Sequence, residues 1–316
     1  HNNMALILES TTYPGSTKEL ILPYINENGF NVGKDFYLCF SPERIDPGNE
    51  KYNTNNTPKV IGGITKNCTK FGVLLYQSIV QKVVEVSSTE TAEMVKLLEN
   101  TFRAINIGLA NEIAIMCEKL GVNVWEVIDA ASTKPFGYMK FTPGPGLGGH
   151  CIPIDPHYLS WKLKTLDYEA RFIQLAGEIN TSMPNHVLNL ISINLNKAKK
   201  SLNGSYLLLL GVAYKKDIND IRESPAIDIL QLLINAGAKI DYYDPFVPEL
   251  SINNTSYKSI KSLNVINLSE FDASIVITDH TKIDYEKIYR ECDLIIDTRN
   301  VFKDKIASHV KRLGQG

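Results

Sequence analysis

The first 87 residues alternate between short apolar runs and stretches with a helical period, separated by polar turns. The apolar runs are residues 4–9, 35–40, 59–64 and 83–86, and the helical stretches are 18–28 and 67–78. Short apolar runs bounded by turn residues predict strands, and strands that alternate with helices favour a parallel or mixed sheet.

The middle of the chain is predicted to be helical. A hydroxyl-rich start at Ser88 opens a long apolar-periodic helix, and further helices are expected at 124–132 and 156–202, with a break near Pro184. Between these two helices, residues 143–151 are too rich in glycine for regular structure.

From residue 203 the alternation of strands and helices returns. Residues 205–210 are continuously apolar, as expected of a strand buried on both faces, and a helix is predicted over 225–235. Later strands are expected at 239–243, 273–278 and 294–297. This is the pattern of a doubly wound domain, so the predicted fold class is α/β.

The composition excludes several classes of protein. The 316 residues include 33 Lys+Arg and 35 Asp+Glu, so a chain-wide basic surface for nucleic acid is absent. No apolar run approaches the ~20 residues of a membrane span. Five cysteines without regular spacing favour a reducing compartment over a disulfide framework. We therefore expect a cytoplasmic protein with no nucleic-acid or membrane partner.

Cys151 follows the glycine-rich stretch and stands beside His150. Glycines allow a tight turn whose N–H groups face a ligand, so a thiolate here can attack a carbonyl carbon while N–H groups hold the oxyanion. The alternative is a small buried cysteine in a turn. The other four cysteines, Cys39, Cys68, Cys117 and Cys292, lie in strand or helix patterns and are expected in the core.

Asp155 lies four residues after Cys151. A carboxylate near a thiol can orient water or pass a proton, but Asp before Pro156 is also typical of a helix cap. No set of His, Cys and carboxylate residues has the spacing of metal ligands, so no metal is expected.

Lys96, Asn100 and Arg103 form a polar stripe on the long helix, because they recur at i, i+4 and i+7. A desolvated lysine can act as acid or base, and Asn and Arg can bind a sugar hydroxyl or a phosphate. The alternative is a solvated helix face on which Glu93 pairs with Lys96.

The segment from Gly211 to Asp217 follows the buried strand at 205–210. Doubly wound sheets bind ligands at this end of a strand, and Lys215 and Arg222 can hold phosphates there. The segment lacks the Gly-x-Gly-x-x-Gly dinucleotide fingerprint, and a basic surface loop is the alternative.

Five segments resemble, in order, those of the UDP-glucose/GDP-mannose dehydrogenase family: residues 9–15, 41–44, 92–100, 143–156 and 211–225. Residues 40–49, 100–103 and 149–156 are most similar to the family's N-acetyl-sugar enzymes. The resemblance implies an NAD-dependent enzyme that oxidises C6 of a UDP-N-acetylhexosamine, with UDP-N-acetylglucosamine as the first choice, to the uronic acid for surface polysaccharide synthesis. The reaction implied runs through a cysteine thiohemiacetal and thioester. UDP-N-acetylmannosamine, UDP-N-acetylgalactosamine and UDP-glucose are alternative substrates.

The resemblance also implies the roles of individual residues. The catalytic residues implied are Cys151 as nucleophile, Lys96 and Asn100 for oxyanion and proton chemistry, Asp155 for the catalytic water, and Glu43 and Thr11 near the sugar. The substrate-binding residues implied are Arg103, Gly148, Tyr214, Lys215 and Arg299, and the cofactor-binding residues are Ser10, Thr11 and Arg222.

The chain departs from the family pattern at two places. Ile152-Pro153-Ile154 stands where Phe-Pro-Lys is common, and no initial strand–turn–helix carries Gly-x-Gly and a ribose-binding acid. We expect an incomplete N-terminal Rossmann-like domain at 1–87, a central helical domain at 88–202 that forms a homodimer, and a complete UDP-sugar-binding α/β domain at 203–316. The rival from another class is a truncated, non-catalytic UDP-sugar-binding and dimerisation module.

Overall fold

The computed structural model describes residues 4–45, 51–305 and 307–316. Contacts divide the chain into two compact units, His1–Arg103 with Ile154–Ile173 and Ala104–Pro153 with Gln174–Gly316. Each unit is described by itself. The domain bounds expected from the sequence stay a prediction.

The elements follow one another along the chain as strands and helices. The helices are α1 Leu22–Glu27, α2 Lys66–Gln77, α3 Thr89–Leu120, α4 Val124–Ala131, α5 Asp155–Lys164, α6 Arg171–Lys197, α7 Pro225–Asn235 and α8 Tyr285–Glu291. The strands are β1 Met4–Leu8, β2 Phe36–Phe40, β3 Lys59–Gly63, β4 Val83–Glu85, β5 Tyr206–Leu210, β6 Lys239–Tyr243, β7 Glu249–Ile252, β8 Thr255–Lys258, β9 Ala273–Val276, β10 Ile295–Asp297 and β11 Val310–Arg312. A π-helical turn, Thr17–Ile21, leads into α1, and the 3-10 turns are Leu263–Val265 and Leu268–Glu270.

The first unit contains a mixed four-stranded sheet with the order β1-β2-β3-β4. β2 is parallel to β1, with Leu38 opposite Leu6, and antiparallel to β3, with Cys39 opposite Gly63. Gly72 of α2 packs so closely on β3 that a Cβ there would lie 2.8 Å from Ile61. The predicted strands and mixed sheet of this region are therefore confirmed.

Two further helical segments of the first unit pack against each other. Leu97 on α3 is fully buried in a cluster with Leu159 of α5 and with Ala170 and Ile173. At the start of α3, the Ser88 hydroxyl accepts a hydrogen bond from the backbone N–H of Thr91 at 3.1 Å, which is the expected cap. This packing fixes where the polar side chains of α3 and α5 lie.

In the second unit, α6 runs unbroken through Pro184, so the break predicted there is wrong. A proline inside a helix removes one backbone hydrogen bond, but Met183, Val187, Ile191 and Leu195 are all fully buried along one face. Burial of that apolar face outweighs the lost bond.

The second unit also contains a parallel five-stranded sheet with the order β11-β10-β9-β5-β6. Leu207 and Leu209 of β5 face one core and Leu208 and Leu210 face the other, and all four are fully buried. This is the predicted strand buried on both faces. The β7–β8 hairpin and β11 were not predicted, because the sequences of these strands are short and partly polar.

The predicted fold class is confirmed: the chain is α/β, and along the sequence one sheet precedes and another follows a helical stretch that contains the 32-residue α3. Among the described residues, no helix has the length and apolar character needed to cross a membrane.

Candidate active site

A buried carboxylate holds the turn that follows β1. Glu93 of α3 is completely buried. Its oxygens accept hydrogen bonds from the backbone N–H groups of Gly15 at 2.5 Å and Thr17 at 2.9 Å, and from the hydroxyls of Ser16 at 3.0 Å and Thr17 at 2.6 Å. The alternative in which Glu93 pairs with Lys96 on a solvated face is therefore wrong, because the carboxylate points into the protein.

Thr11, Asn100 and Asp155 are joined by hydrogen bonds within the first unit. Asp155 Oδ2 accepts hydrogen bonds from Asn100 Nδ2 at 2.5 Å and from Thr11 Oγ1 at 3.2 Å. Asp155 is 2% exposed and Asn100 is 7% exposed. Ile154 occupies the capping position of α5, so the alternative in which Asp155 caps this helix is wrong.

Lys96 and Glu43 are connected in the same unit. Lys96 Nζ donates a hydrogen bond to the main-chain oxygen of Glu43 at 2.6 Å. The Glu43 carboxylate accepts a hydrogen bond from Ile45 N at 2.7 Å and lies 3.5 Å from Lys59 Nζ. Burial opposes ionisation of Glu43, but this hydrogen bond and the charge of Lys59 outweigh it and lower its pKa. Glu43 is therefore an anion at neutral pH.

Ser10 and Arg103, two other predicted site residues of this unit, are both exposed. Ser10 follows the carboxyl end of β1, and Arg103 follows Asn100 by three residues on α3. The structure thus brings Thr11, Asn100 and Asp155 into one network and Lys96 onto the Glu43 backbone.

Cys151 lies in the second unit at the end of the glycine-rich loop, which is defined here as residues 143–151. It is half-buried, whereas the other four cysteines of the chain are buried, as expected. Its Sγ lies 3.8 Å from Nδ1 of the exposed His150. Cys151 is therefore the thiol with the best access to a ligand.

The glycines of this loop are required by close contacts with the rest of the second unit. The atoms that a Cβ would meet are Arg299 Nη1 at Gly144 (2.9 Å), Pro225 Cβ at Gly146 (2.8 Å), Glu223 O at Gly148 (2.8 Å) and Tyr214 Cε2 at Gly149 (2.9 Å). Gly149 N also donates a hydrogen bond to Arg222 O at 3.2 Å. The loop consequently packs directly on residues predicted to bind the substrate.

Two buried asparagines hold the other end of the loop. Asn111 Oδ1 accepts a hydrogen bond from Gly144 N at 2.9 Å, and Asn111 Nδ2 donates to Asn180 Oδ1 at 2.9 Å. Asn180 Nδ2 in turn donates to Ala104 O at 3.0 Å. Since unpaired polar groups are costly in a protein interior, this chain of amides fixes the loop to α3 and α6.

The predicted cofactor residue Arg222 forms an ion pair with Asp220. Arg222 Nη2 lies 2.6 Å from Asp220 Oδ2, and Arg222 Nε donates to Asp220 Oδ1 at 3.0 Å. Hydrogen bonding in this pair lowers the pKa of Asp220 and raises the pKa of Arg222, and the Cys151 side chain contributes to the latter shift.

A buried Asp–His pair holds the segment from Gly211 to Asp217. Asp244 Oδ2 accepts hydrogen bonds from Val212 N at 2.7 Å and Ala213 N at 3.2 Å and contacts His280 Nε2 at 3.0 Å. His280 Nδ1 accepts a hydrogen bond from Asp217 N at 2.9 Å, so Nε2 carries the proton. The backbone that carries Tyr214 and Lys215 is thus anchored at both ends.

Arg299, a predicted substrate-binding residue, is a further cation of the second unit. Its Nε donates to Ile277 O at 2.7 Å, and its backbone N–H donates to Asp297 Oδ1 at 3.0 Å. Desolvation lowers the pKa of Arg299, while the charge of Asp279 opposes this shift. The guanidinium remains charged at neutral pH and lies against Gly144 of the glycine-rich loop.

Four residues that anchor the glycine-rich loop and the segment from 211 to 217 were not predicted from the sequence: Asn111, Asn180, Asp244 and His280. Glu93 was expected only as a surface partner of Lys96. These residues share one signal, a polar side chain on a mostly apolar helix or in the loop that follows a strand. The signal does not distinguish a buried structural group from a catalytic one.

The described residues fit a dinucleotide cofactor in part. The N–H groups of Gly15 and Thr17, in the turn after β1, are already bonded to Glu93, so this turn does not fit a pyrophosphate. Ser10 is exposed at the carboxyl end of β1, the edge at which such sheets bind ligands, and it fits a contact to the remainder of the cofactor.

An α/β unit, a long helix, a second α/β sheet and a thiol on a glycine-rich loop match the architecture expected from the sequence for a nucleotide-sugar oxidoreductase. The chain matches three domains of one family: the NAD binding domain over residues 1–80, the central domain over 90–182 and the UDP binding domain over 208–304. It belongs to the UDP-glucose/GDP-mannose dehydrogenase family and is an NAD-dependent UDP-sugar dehydrogenase.

Named relatives align with most of the chain. The UDP-N-acetyl-D-mannosamine dehydrogenase of Pyrococcus horikoshii is 34% identical over 98% of this chain and 72% of its own. The UDP-N-acetyl-D-glucosamine 6-dehydrogenase of Salmonella typhi is 33% identical over 87% of this chain and 64% of its own. The structure of the Pyrococcus horikoshii enzyme matches with a TM-score of 0.89, covering 100% of this chain and 73% of that one.

The Glu93 contact generates a prediction about stability. In Glu93→Gln, one carboxylate oxygen becomes an NH2 group that faces hydrogen-bond donors. We therefore expect the free energy of unfolding to fall by about 2–4 kcal/mol. Urea denaturation followed by circular dichroism measures this change. Glu90→Gln, three residues earlier on α3 and partly exposed, is the matched control and should differ from the parent by less than about 1 kcal/mol. Equal effects of the two changes would contradict the role given to Glu93.

Proposed function

We propose that this chain carries out the two-step oxidation of C6 of a UDP-N-acetylhexosamine to the uronic acid in the cytoplasm, for the synthesis of surface polysaccharide. The observation that carries the proposal is the buried Thr11–Asp155–Asn100 network, with Lys96 one helical turn before Asn100. A buried carboxylate bonded to a hydroxyl and an amide can hold water, and a nearby lysine can stabilise an oxyanion.

The proposed chemistry needs a nucleophile, and Cys151 supplies it. The first oxidation removes a hydride from C6 and the O6 proton, giving the aldehyde. The Cys151 thiolate adds to the aldehyde carbon and forms a thiohemiacetal, whose second oxidation gives a thioester. Water then releases the carboxylate and regenerates the thiol, so each sugar consumes one water and gives up two hydrides, which is four electrons. Bound NAD+ supplies the oxidising chemistry by accepting one hydride in each step.

The chain's own residues are assigned to binding and to proton chemistry. Lys215 and Arg299 bind the diphosphate end of the substrate with Tyr214 and Gly148, while Arg103 contacts the N-acetyl group. Lys96 and Asn100 stabilise the oxyanion that forms at C6, and Asp155 orients the hydrolytic water with Thr11 and Glu43 nearby. Ser10, Thr11 and Arg222 contact the cofactor. These assignments rest on the motifs in which the residues stand.

Two N-acetylhexosamines compete as the substrate. The sequence favours UDP-N-acetylglucosamine, but the Pyrococcus horikoshii and Methanococcus maripaludis relatives, 34% and 33% identical, are named as mannosamine dehydrogenases. The two sugars differ only in configuration at C2, so the groups facing C2 decide between them. UDP-N-acetylgalactosamine and UDP-glucose are less well supported.

A substrate panel tests the proposed function. UDP-N-acetylglucosamine, UDP-N-acetylmannosamine, UDP-N-acetylgalactosamine and UDP-glucose are each incubated with the chain and NAD+, and NADH absorbance is recorded. We expect about two NADH per sugar consumed, and an N-acetylated sugar should give the highest kcat/KM. Binding of a UDP-sugar without any NADH formation would contradict the proposal and favour a non-catalytic binding module.

Replacing the nucleophile tests the covalent step. Cys151→Ser should reduce uronate formation at least about a thousandfold, because a serine hydroxyl is a far weaker nucleophile at neutral pH. The product is measured by mass spectrometry. Cys117→Ser, at a buried cysteine, is the matched control and should keep most of the turnover. Normal turnover by Cys151→Ser would exclude the thioester route.

We also propose a homodimer formed through α3. Phe102, Leu109 and Met116 recur every seven residues on this helix and are 44%, 54% and 43% exposed, a spacing that lets two copies of one helix pack. Light scattering should give about twice the chain mass of 35.3 kDa, and Leu109→Glu with Met116→Glu should shift it to the monomer. A monomeric parent chain would contradict this proposal.

A further inference from the structure

Tyr214 links two parts of the second unit that have separate roles in the proposed function: the loop that carries Cys151 and the residue that binds the diphosphate. Its ring packs on the backbone of Gly149, two residues before Cys151. The next residue in the chain is Lys215, assigned above to the diphosphate. Tyr214 therefore contacts the glycine-rich loop and precedes the residue assigned to the diphosphate, so it can link diphosphate binding to the position of Cys151.

Hydrogen bonds fix the backbone on both sides of Tyr214. On one side, Val212 N and Ala213 N are bonded to Asp244, and on the other, Asp217 N is bonded to His280. Tyr214 N itself donates a hydrogen bond to Asp220 O at 2.9 Å. Because Lys215 is the next residue in this anchored segment, a ligand bound to Lys215 acts on the same short stretch of backbone that carries Tyr214.

Gly148 and Gly149, the two residues of the glycine-rich loop that lie against Tyr214, carry no side chains. A Cβ at Gly149 would lie 2.9 Å from the Tyr214 ring, and Gly149 has a φ of +94°, which glycine adopts readily. Gly148 packs on the Tyr214 Cβ and on Glu223 O, each 2.8 Å from the Cβ position. The ring thus supports the last turn before Cys151, together with the backbone of Arg222 and Glu223.

We propose that Tyr214 is a positioning residue that couples binding of a nucleoside diphosphate to the placement of Cys151. This inference rests on the proposed function, because it assigns the diphosphate to Lys215. UDP binding restrains Tyr214, and the restrained ring narrows the conformations of residues 149–151. Cys151 is then held for reaction before the sugar is oxidised.

The reactivity of Cys151 provides the test, since the other four cysteines are buried. The chain is alkylated with iodoacetamide with and without saturating UDP, and mass spectrometry follows the peptide that contains Cys151. We expect UDP to slow alkylation at least about fivefold, the lower end of typical coupling between sites. Calorimetry measures UDP binding independently of alkylation. If the chain does not bind UDP, the proposed function itself is contradicted; if it binds UDP but alkylation is unchanged, only the coupling is contradicted.

Two variants separate coupling from simple shielding by UDP. Tyr214→Phe keeps the ring and should retain the UDP effect, whereas Tyr214→Ala should lose it at UDP concentrations that calorimetry shows to be saturating. Without UDP, Tyr214→Ala should already be alkylated faster than the parent chain and Tyr214→Phe, because the support under Gly149 is gone. Far-UV circular dichroism confirms that both variants are folded.

The opposite results overturn the proposal. Slowing by UDP that persists in Tyr214→Ala would mean that UDP itself covers the thiol. Equal alkylation of Tyr214→Ala and the parent chain without UDP would mean that the ring does not support the loop, and this comparison holds even if Tyr214→Ala binds UDP poorly.

Discussion

A carboxylate that is removed from water must receive hydrogen bonds, and this requirement fixes the loops on which the site residues lie. Glu93 binds the turn after β1, and Asp155 binds Thr11 and Asn100. In the second unit, Asp244 binds the segment after β5 and the backbone after β6. Each carboxylate joins residues that are far apart in sequence, so each converts an irregular loop into a defined surface.

The glycine-rich loop illustrates the complementary constraint, which is space. Its glycines allow the backbone to approach Arg299, Pro225 and Tyr214 more closely than any side chain would permit. The asparagine chain through Asn111 and Asn180 then satisfies the polar groups that this close approach buries. The half-buried thiol of Cys151 is thus carried on a loop whose position follows from its neighbours rather than from local structure.

Much of the fold was predictable from local sequence because its signals are strong and repeated. The apolar run of β5, the capped start of α3 and the helix α7 were all expected and are present. The break at Pro184 was wrong because the buried face of α6 outweighs one missing hydrogen bond. The β7–β8 hairpin was not identified because its strands are short and partly polar and so form no apolar run.

The site residues also divide into those that local sequence predicts and those whose partners only the structure shows. The sequence by itself determined the α/β class, the positions of most strands and helices, and the motifs around Lys96, Cys151 and Lys215, because residue type and spacing are local properties. Only the tertiary structure decided that Glu93 is a buried anchor and that Asp155 bonds to Thr11 and Asn100, 144 and 55 residues away. The physical reason is that the burial and partners of a polar side chain depend on packing between distant segments, which no local pattern encodes.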